Sequence, residues 1–199
     1  MATRKPGPAK RFDPDEVLVR ARDLFWRRGY AATGVRELET ELGVGRKSLY
    51  DTYGDKRALY LQALEQYTDS VIERICHGLR DARNTPLQNL ERVLGRLAAH
   101  HGSPDSLGCL LGVAMAQADP RDEELAAQLR RSLKRLERAF TRTLEQAQAA
   151  GEIRPEVRCL DAARQLVALT QGMALMGRVL DGPASTKSMA RAALAALQV

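Results

Sequence analysis

Two basic residues, Arg46 and Lys47, stand where a short helix is predicted to begin. A positive charge in the first turn opposes the helix macrodipole, at a cost of about a few tenths of a kcal/mol on an exposed site. The arrangement becomes favourable when a polyanion docks there, because free backbone N–H groups and basic side chains then point at the same phosphates. The pair therefore indicates contact with a nucleic-acid backbone.

Two short helices joined by a tight turn must position these side chains. Residues 33–56 read TGVRELETELGVGRKSLYDTYGDK, in which glycines separate two apolar helical patterns. We expect Thr33 to cap the second helix of the chain and Gly43 to end it. Leu49 and Tyr53 would anchor the third helix to a three-helix head. The spacing predicts a helix-turn-helix that binds double-stranded DNA.

The charge distribution supports this interpretation. The chain has 199 residues and a net charge of +6. Residues 1–60 hold 13 Lys or Arg and 9 Asp or Glu, whereas the other 139 residues hold 18 and 16, so the excess lies near the helix-turn-helix. Four basic residues precede any acidic one, and they form either a solubilising tail or an arm that reaches phosphate or the minor groove. They are Arg4, Lys5, Lys10 and Arg11.

Composition argues against several other classes of protein. No apolar run approaches the roughly 20 residues of a membrane span, and the basic start has no apolar segment behind it, so we expect neither membrane insertion nor export. Three widely spaced cysteines make no disulfide framework and favour a reducing cytoplasm. Adjacent Cys76 and His77 point in different directions on a helix. We therefore expect no metal site and no cofactor.

Nearly every segment has helical periodicity, and none alternates convincingly with the period of a strand. We predict an all-α chain of about nine helices, three of them in the head. The predicted body helices begin at Lys56 and cover residues 56–79, 87–100, 109–118, 121–150, 159–180 and 186–197. The expected domains are a basic arm at residues 1–12, a helix-turn-helix domain at 13–55 and a larger helical body at 56–199.

The head resembles that of the TetR family of transcriptional regulators. The likeness covers roughly residues 13–60 without a gap, whereas the body matches only in the number and length of its helices. The matching residues are Ala21, Leu24, Phe25, Gly29, Tyr30, Thr33, Leu38, Gly43, Val44, Leu49, Tyr50, Tyr53, Lys56 and Leu59. The resemblance implies a homodimeric regulator, by default a repressor, that binds a near-palindromic operator and is released by an effector bound in its body.

By position, the resemblance assigns contacts with DNA to ten residues of the head. Tyr50, Tyr53 and Lys56 match phosphate-contacting positions, and Lys47 stands where the family often has Gly. The recognition helix carries Arg46, Lys47, Ser48, Tyr50, Asp51 and Thr52, and the start of the supporting helix carries Thr33 and Arg36.

In the resembling proteins, the last two long helices pair across a two-fold axis into a four-helix bundle. Residues 159–180 are apolar and rich in small residues, which let two helices approach closely. We expect the two heads of a dimer to lie about 34–36 Å apart, the spacing of successive major grooves. A helix buried only within its own chain is the alternative. The expected interface residues are Leu166, Leu169, Gly172, Met173, Met176 and Gly177.

An effector must bind the conformation with low DNA affinity more tightly than the other. Tyr67, Met115 and Phe140 are candidate pocket residues, with plain core packing as the alternative. Cys109 follows Gly108 at a predicted helix start, where the macrodipole favours thiolate. The segment resembles a cysteine site of TetR-like regulators that respond to electrophiles or oxidants, although a small buried hydrophobe is the alternative.

Three other functions fit parts of the sequence. A ligand-independent architectural DNA-binding protein would share the basic head but needs no large apolar body. An enzyme with a Cys109 nucleophile and His100 or His101 as base lacks a nucleophile elbow, a phosphate-binding glycine loop and a metal signature, so we do not expect catalysis. A helical adaptor that binds only protein is the third alternative.

Overall fold

The structure is a computed structural model that describes residues 12–119, 121–180 and 182–198. All nine regular elements in these residues are α-helices, which confirms the predicted fold class. The predicted basic arm lies outside the described residues except for Phe12. The helices are α1 (Pro14–Arg28), α2 (Val35–Leu42), α3 (Arg46–Tyr53), α4 (Lys56–Leu79), α5 (Pro86–His101), α6 (Leu110–Gln117), α7 (Glu123–Ala149), α8 (Cys159–Met176) and α9 (Ala184–Ala195).

The chain forms two compact units, and the boundary falls inside α4, between Ala63 and Leu64. No described helix is long and apolar enough to cross a bilayer.

Local sequence signals set the helix ends of the first unit. Asp13 caps α1, because its Oδ1 accepts the Asp15 backbone N–H at 2.9 Å, and Pro14 occupies the first helical turn. Gly29, with φ of 81°, follows the last residue of α1. Gly43 adopts the left-handed conformation, with φ of 66°, after α2. Gly54, with φ of 98°, follows α3, and α2 and α3 are eight residues long each.

A small aromatic and aliphatic core holds the three helices of the head together. Phe25 is 1% exposed, and its ring lies 5.2 Å from that of Tyr60 in an edge-to-face arrangement. Leu38 of α2 and Leu49 of α3 are each 1% exposed. Because α3 buries Leu49 in this core, its opposite face must point outward.

The prediction that Thr33 caps α2 is wrong, because Gly34 occupies the cap position. Thr33 is fully buried and its hydroxyl donates to the Gly29 carbonyl oxygen at 2.7 Å. That carbonyl belongs to the residue after α1, so Thr33 ties the turn back to the first helix instead of capping the next one. Glu37 accepts the Gly34 backbone N–H at 3.4 Å.

The second unit packs α7 along α8, and α5 lies against α7, α8 and α9. Phe140 of α7 is fully buried in the core of this unit. The predicted helix at residues 159–180 ends four residues early, at Met176. At the next residue, a Cβ on Gly177 would lie 2.0 Å from the His101 carbonyl oxygen, so only glycine fits this crossing of the α5 and α8 ends.

The same crossing contains a buried histidine. His101 is 5% exposed, and no described group is hydrogen-bonded to its Nδ1 atom. Burial, with a smaller contribution from His100, lowers the pKa of His101 to about 4 from its ordinary value of 6.5. The unfolded chain therefore binds a proton between these pH values and the folded chain does not.

We expect the free energy of unfolding to fall as the pH drops from 6.5 to about 4, with His101 contributing roughly 1–3 kcal/mol of the loss. Urea unfolding at a series of pH values measures this. His101→Gln should flatten that part of the profile, whereas the control His77→Gln, at an exposed position on α4, should not. Identical pH profiles for wild type and His101→Gln would show that this histidine does not titrate differently on folding.

Candidate DNA-binding surface

The outward face of α3 carries three polar side chains of different chemistry. Lys47, Ser48 and Asp51 are exposed, while Leu49 and Tyr53 are buried against the rest of the head. Lys can donate to guanine O6 and N7, Asp can accept from the cytosine amino group, and Ser can do either. The face therefore has the chemistry required to read base edges.

At the start of α3, a carboxylate from α2 occupies part of the expected anion site. Gly45 is the cap residue, and the Arg46 backbone N–H donates to Glu39 Oε1 at 2.8 Å. The Arg46 guanidinium also pairs with Glu39 Oε2 at 3.5 Å. A phosphate at the Arg46 N–H would have to displace Glu39, so one N–H group of the expected anion site is already bonded within the head. The bond links the two helices of the motif across the turn.

Tyr53 does not offer its hydroxyl to a phosphate in this structure. It is 7% exposed, and its hydroxyl donates to the Pro14 carbonyl oxygen at 2.6 Å. Burial raises the pKa of Tyr53, and the charges of Asp15 and Asp13 add to the effect. Tyr53 therefore ties α3 to the start of α1, which corrects its expected role as a phosphate contact.

Lys56 is held by an aromatic ring at the start of α4. Its Nζ atom lies 4.3 Å from the centre of the Tyr30 ring, a cation–π contact. Burial lowers the pKa of Lys56. Beside it, Asp55 Oδ1 accepts the Ala58 backbone N–H at 2.7 Å. Lys56 is thus a half-buried cation in a fixed position. The sequence identified Tyr30 only as a residue that matches the family, without a role at Lys56, and did not identify Glu39.

The ten predicted DNA contacts divide by exposure. Thr33 and Tyr53 are buried with engaged hydroxyl groups, so the structure argues against side-chain contacts from both. The exposed candidates are Arg36, Arg46, Lys47, Ser48 and Asp51, and the half-buried ones are Tyr50, Thr52 and Lys56.

Comparison with known protein families decides the class of this chain. Residues 17–63 match the family described as bacterial regulatory proteins, tetR family. Residues 86–193, more than half of the chain, match the tetracyclin repressor-like C-terminal domain. The chain belongs to the TetR family. It is therefore a DNA-binding transcriptional regulator with a helix-turn-helix, as the sequence predicted.

Curated relatives agree with this TetR-family assignment. The uncharacterized HTH-type transcriptional regulator YezE of Bacillus subtilis (strain 168) is 33% identical over 155 residues, which cover 75% of this chain and 77% of YezE. The HTH-type transcriptional repressor ComR of Escherichia coli (strain K12) is 28% identical over 86% of this chain and 82% of its own. Both are named as regulators of transcription, not as enzymes.

Solved structures share the fold at low sequence identity. The TetR family regulator CifR, as a cysteine mutant complexed with a 26 bp operator DNA, superposes with a TM-score of 0.85 at 22% identity, covering 96% of this chain and all of CifR. The reduced form of E. coli NemR gives a TM-score of 0.79 at 18% identity, over 91% of this chain and 92% of NemR. These likenesses extend the TetR-family fold to nearly the whole chain.

In the body of this TetR-family chain, the structure brings two candidate effector residues together. Cys109 is the cap residue of α6, and the Tyr67 hydroxyl donates to its Sγ atom at 3.7 Å. The two residues are 9% and 7% exposed. Burial is the main cause that raises the pKa of Tyr67, followed by the charge of Cys109. Phe140 is fully buried in the core and Met115 is half-buried.

Two surface grooves of the body are lined by other residues. One of about 440 Å³ lies between α8 and α9, and one of about 540 Å³ lies between α5 and α9. Neither is lined by Tyr67, Cys109, Met115 or Phe140. No described group of three or more His, Cys, Asp or Glu residues is placed to hold a metal ion.

Sequence reasoning missed a buried amide beside Cys109. The Gln171 Oε1 atom is buried, and no described group is hydrogen-bonded to it. It lies 3.0 Å from the position that a Cβ on Gly112 would occupy, and that position lies 3.9 Å from the Cys109 Cβ. Gln171, the one glutamine in the largely apolar residues 166–176 of α8, was the available signal.

The predicted dimer residues fall on two sides of α8. Leu166 and Met173 are 2% and 0% exposed, and Gly177 is buried against His101, so these three pack within their own chain. Their assignment to an interface is therefore wrong for this structure. Leu169 and Gly172 are half-buried and Met176 is exposed. Together with two exposed residues missed from the sequence, they form what we call the α8 strip: Leu169, Gly172, Leu175, Met176 and Val179.

Proposed function

We propose that this TetR-family regulator is a repressor that binds a near-palindromic operator as a homodimer and is released by a small molecule or a reactive species. The observation that carries the proposal is the outward face of α3, with Lys47, Ser48 and Asp51 exposed over a buried Leu49. The names of the relatives ComR, BdcR and DhaR, each an HTH-type transcriptional repressor, support repression. The operator complex of CifR supports the same mode of DNA binding.

Base edges and phosphates would be contacted by different residues. Lys47, Ser48 and Asp51 enter the major groove, where a good bidentate pair contributes about 1–3 kcal/mol of discrimination. Arg36 and Lys56 contact phosphates, which orient α3 without reading sequence. The bond between Arg46 and Glu39 fixes the turn, so the two helices dock as one body.

The α8 strip would form the centre of the dimer interface. Leu175 is 66% exposed and Val179 is 83% exposed, which leaves apolar area that a partner can cover at about 25 cal/mol per Å². A Cβ built on Gly172 meets no atom within 4 Å, so a second helix can approach closely there. Spacing of three and four residues places Leu169, Gly172 and Met176 along one side of α8, beside Leu175, and Val179 follows in the turn after the helix. A two-fold axis can bring this strip against its own copy.

Release would follow from a modification or ligand at the Cys109 end of α6. Cys109 and Tyr67 are packed together in this structure, so an adduct on the thiol would not fit without moving the start of α6. An α,β-unsaturated carbonyl compound would form a carbon–sulfur bond to Sγ as its C=C π bond breaks, while the thiol proton leaves to solvent and the adjacent carbon takes a proton from solvent. The adduct is then compatible only with a different conformation, and affinity for DNA falls by linkage.

We expect a thiol-alkylating agent to lower operator affinity about 10-fold or more through Cys109, a coupling typical of allosteric sites. Fluorescence anisotropy with labelled operator, before and after alkylation, measures the change. Cys109→Ser should abolish the response, whereas Cys76→Ser and Cys159→Ser, at half-buried positions, should retain it. A response that survives in Cys109→Ser would move the effector site elsewhere.

A gel-shift with the DNA that flanks the chain's own gene tests the proposed function. The repressor account expects a sequence-dependent shift that an effector reverses. A shift that is indifferent to sequence and to added effectors would support an architectural protein instead. No shift at any salt concentration would support an adaptor and contradict the proposal.

A further inference from the structure

The longest helix of the body carries a dense run of positive charge. Residues 130–142 of α7 include six Lys or Arg and a single Glu. The remaining part of residues 64–199 holds 12 Lys or Arg and 15 Asp or Glu, a net charge of −3. The positive charge of the body is therefore concentrated on one segment of one helix.

Five of these six residues are exposed and unpaired. We call them the α7 basic face: Arg130, Arg131, Lys134, Arg138 and Arg142. Within the described parts of the chain, none of the five has a carboxylate within 4.0 Å. The sixth, Arg135, forms an ion pair with Asp69, and Glu137 is paired with Arg164 at 3.0 Å. Asp69 and Glu137 are thus already paired with other arginines and do not neutralise the α7 basic face.

Helical geometry aligns the α7 basic face in a row. Residues 131, 134, 138 and 142 follow spacings of three and four residues, so they lie on the side opposite the buried Leu136 and Phe140. At 1.5 Å per residue, the row extends about 17 Å along the helix axis. Like charges at this spacing destabilise a helix by about 0.2–0.5 kcal/mol per pair. A row of unneutralised cations is therefore unfavourable until an anion of similar length covers it.

From this geometry we infer that the α7 basic face is a second, sequence-independent contact surface for the phosphate backbone of DNA. Four of its five residues are Arg, whose planar guanidinium suits phosphate oxygens. Double-stranded DNA carries one negative charge per about 1.7 Å, so about ten phosphates lie along the length of the row. The inference goes beyond the proposed operator reading, because it requires neither α3 nor a particular sequence.

The residues around the row favour DNA over other anionic partners. An amphipathic helix that lies in a membrane surface buries large apolar side chains beside its basic ones, and a protein interface is centred on buried aromatic or aliphatic anchors. The exposed large hydrophobic residues of the described chain lie outside α7, at Leu107, Leu160, Leu175, Met176 and Val179. The α7 basic face therefore fits a polyanion that is bound by charge alone.

The test measures how binding of the full-length protein to a random-sequence duplex depends on salt. The α7 variant is Lys134→Gln, Arg138→Gln and Arg142→Gln, and the matched control is Arg74→Gln, Arg92→Gln and Arg96→Gln, three exposed body cations on α4 and α5. Between 50 and 200 mM salt, the slope of log K against log salt should become shallower by about 2–3 in the α7 variant. The control slope should stay near that of wild type. Equal slopes for wild type and the α7 variant, or equal changes in both variants, would overturn the inference.

Two further measurements separate charge from folding and from other partners. Arg138→Lys with Arg142→Lys keeps the charge and should keep the wild-type slope, and circular dichroism melting verifies that each variant folds. Anionic vesicles and a polyglutamate peptide serve as the other anions. If vesicles or peptide bind through the α7 basic face while the α7 variant keeps the wild-type DNA slope, the surface is not a DNA surface.

Lys47→Ala separates this inference from the proposed operator reading. It should lose operator preference but keep the contribution of the α7 basic face to binding of the random duplex, so failure of operator reading is distinguishable.

Discussion

Replacing Leu175 and Val179 with Asp is expected to leave this TetR-family regulator monomeric and to lower operator affinity by about 100-fold or more. Both side chains are exposed on the α8 strip, at 66% and 83%, so the change should not disturb the fold of the single chain. Paired charges at a two-fold interface repel and lose apolar burial. A monomer then binds each half-site separately and loses the 10²–10⁴-fold gain that linkage of two heads provides.

Sedimentation equilibrium gives the oligomeric state and fluorescence anisotropy gives the affinity. The control is Leu160→Asp, a 43% exposed apolar position in the first turn of α8 that lies on another side of the helix. The control should remain dimeric and retain operator affinity. A dimer that survives both substitutions in the α8 strip would place the interface elsewhere on the body.

Lys47→Ala and Lys56→Ala are expected to affect DNA binding in different ways. Lys47 is exposed on the outward face of α3, so its loss should relax sequence preference at one or two operator positions by about 1–3 kcal/mol. Lys56 is held over Tyr30 at the start of α4. Its loss should weaken binding to all sequences and reduce the salt slope by about 1.

Affinities for a panel of single-base operator variants, each at several salt concentrations, separate the two effects. Arg27→Ala, an exposed cation at the end of α1, is the control and should change neither quantity. Equal losses from Lys47→Ala and Lys56→Ala across every operator base would refute this division between base reading and phosphate contact.

The head could be predicted from sequence because its determinants are local. Asp13 with Pro14 starts α1, and Gly43 follows α2 at the predicted position. The partner of a particular polar group could not be predicted. A threonine before a helix can cap it or bond backward, and Thr33 bonds backward to Gly29. That choice depends on the path of the turn and not on the residue type.

The hydrogen bonds between residues distant in sequence also could not be predicted for the head. Glu39 reaches the Arg46 N–H because the turn brings the two helices together, and Tyr53 reaches Pro14 across 39 positions of sequence. In the body, the apolar and small residues of α8 predicted a helix, but they did not predict which side of it faces the core of the body. Packing against α5 and α7 buries Leu166 and Met173 and leaves Leu175 exposed. The sequence could not predict this, because nearly every residue here is apolar and hydrophobic periodicity is therefore weak.

The most direct test of the central claim is a hydroxyl-radical footprint of the operator bound by the full-length protein. The claim is that the outward α3 faces of the two chains in a dimer bind one DNA duplex. It predicts two protected segments about one helical turn apart, related by the operator's pseudo-symmetry. At a protein concentration just sufficient for the wild type to protect both, Lys47→Ala should leave both unprotected, because it loses about 1–3 kcal/mol of base contact. A single protected segment, or equal protection by Lys47→Ala at that concentration, would contradict the account.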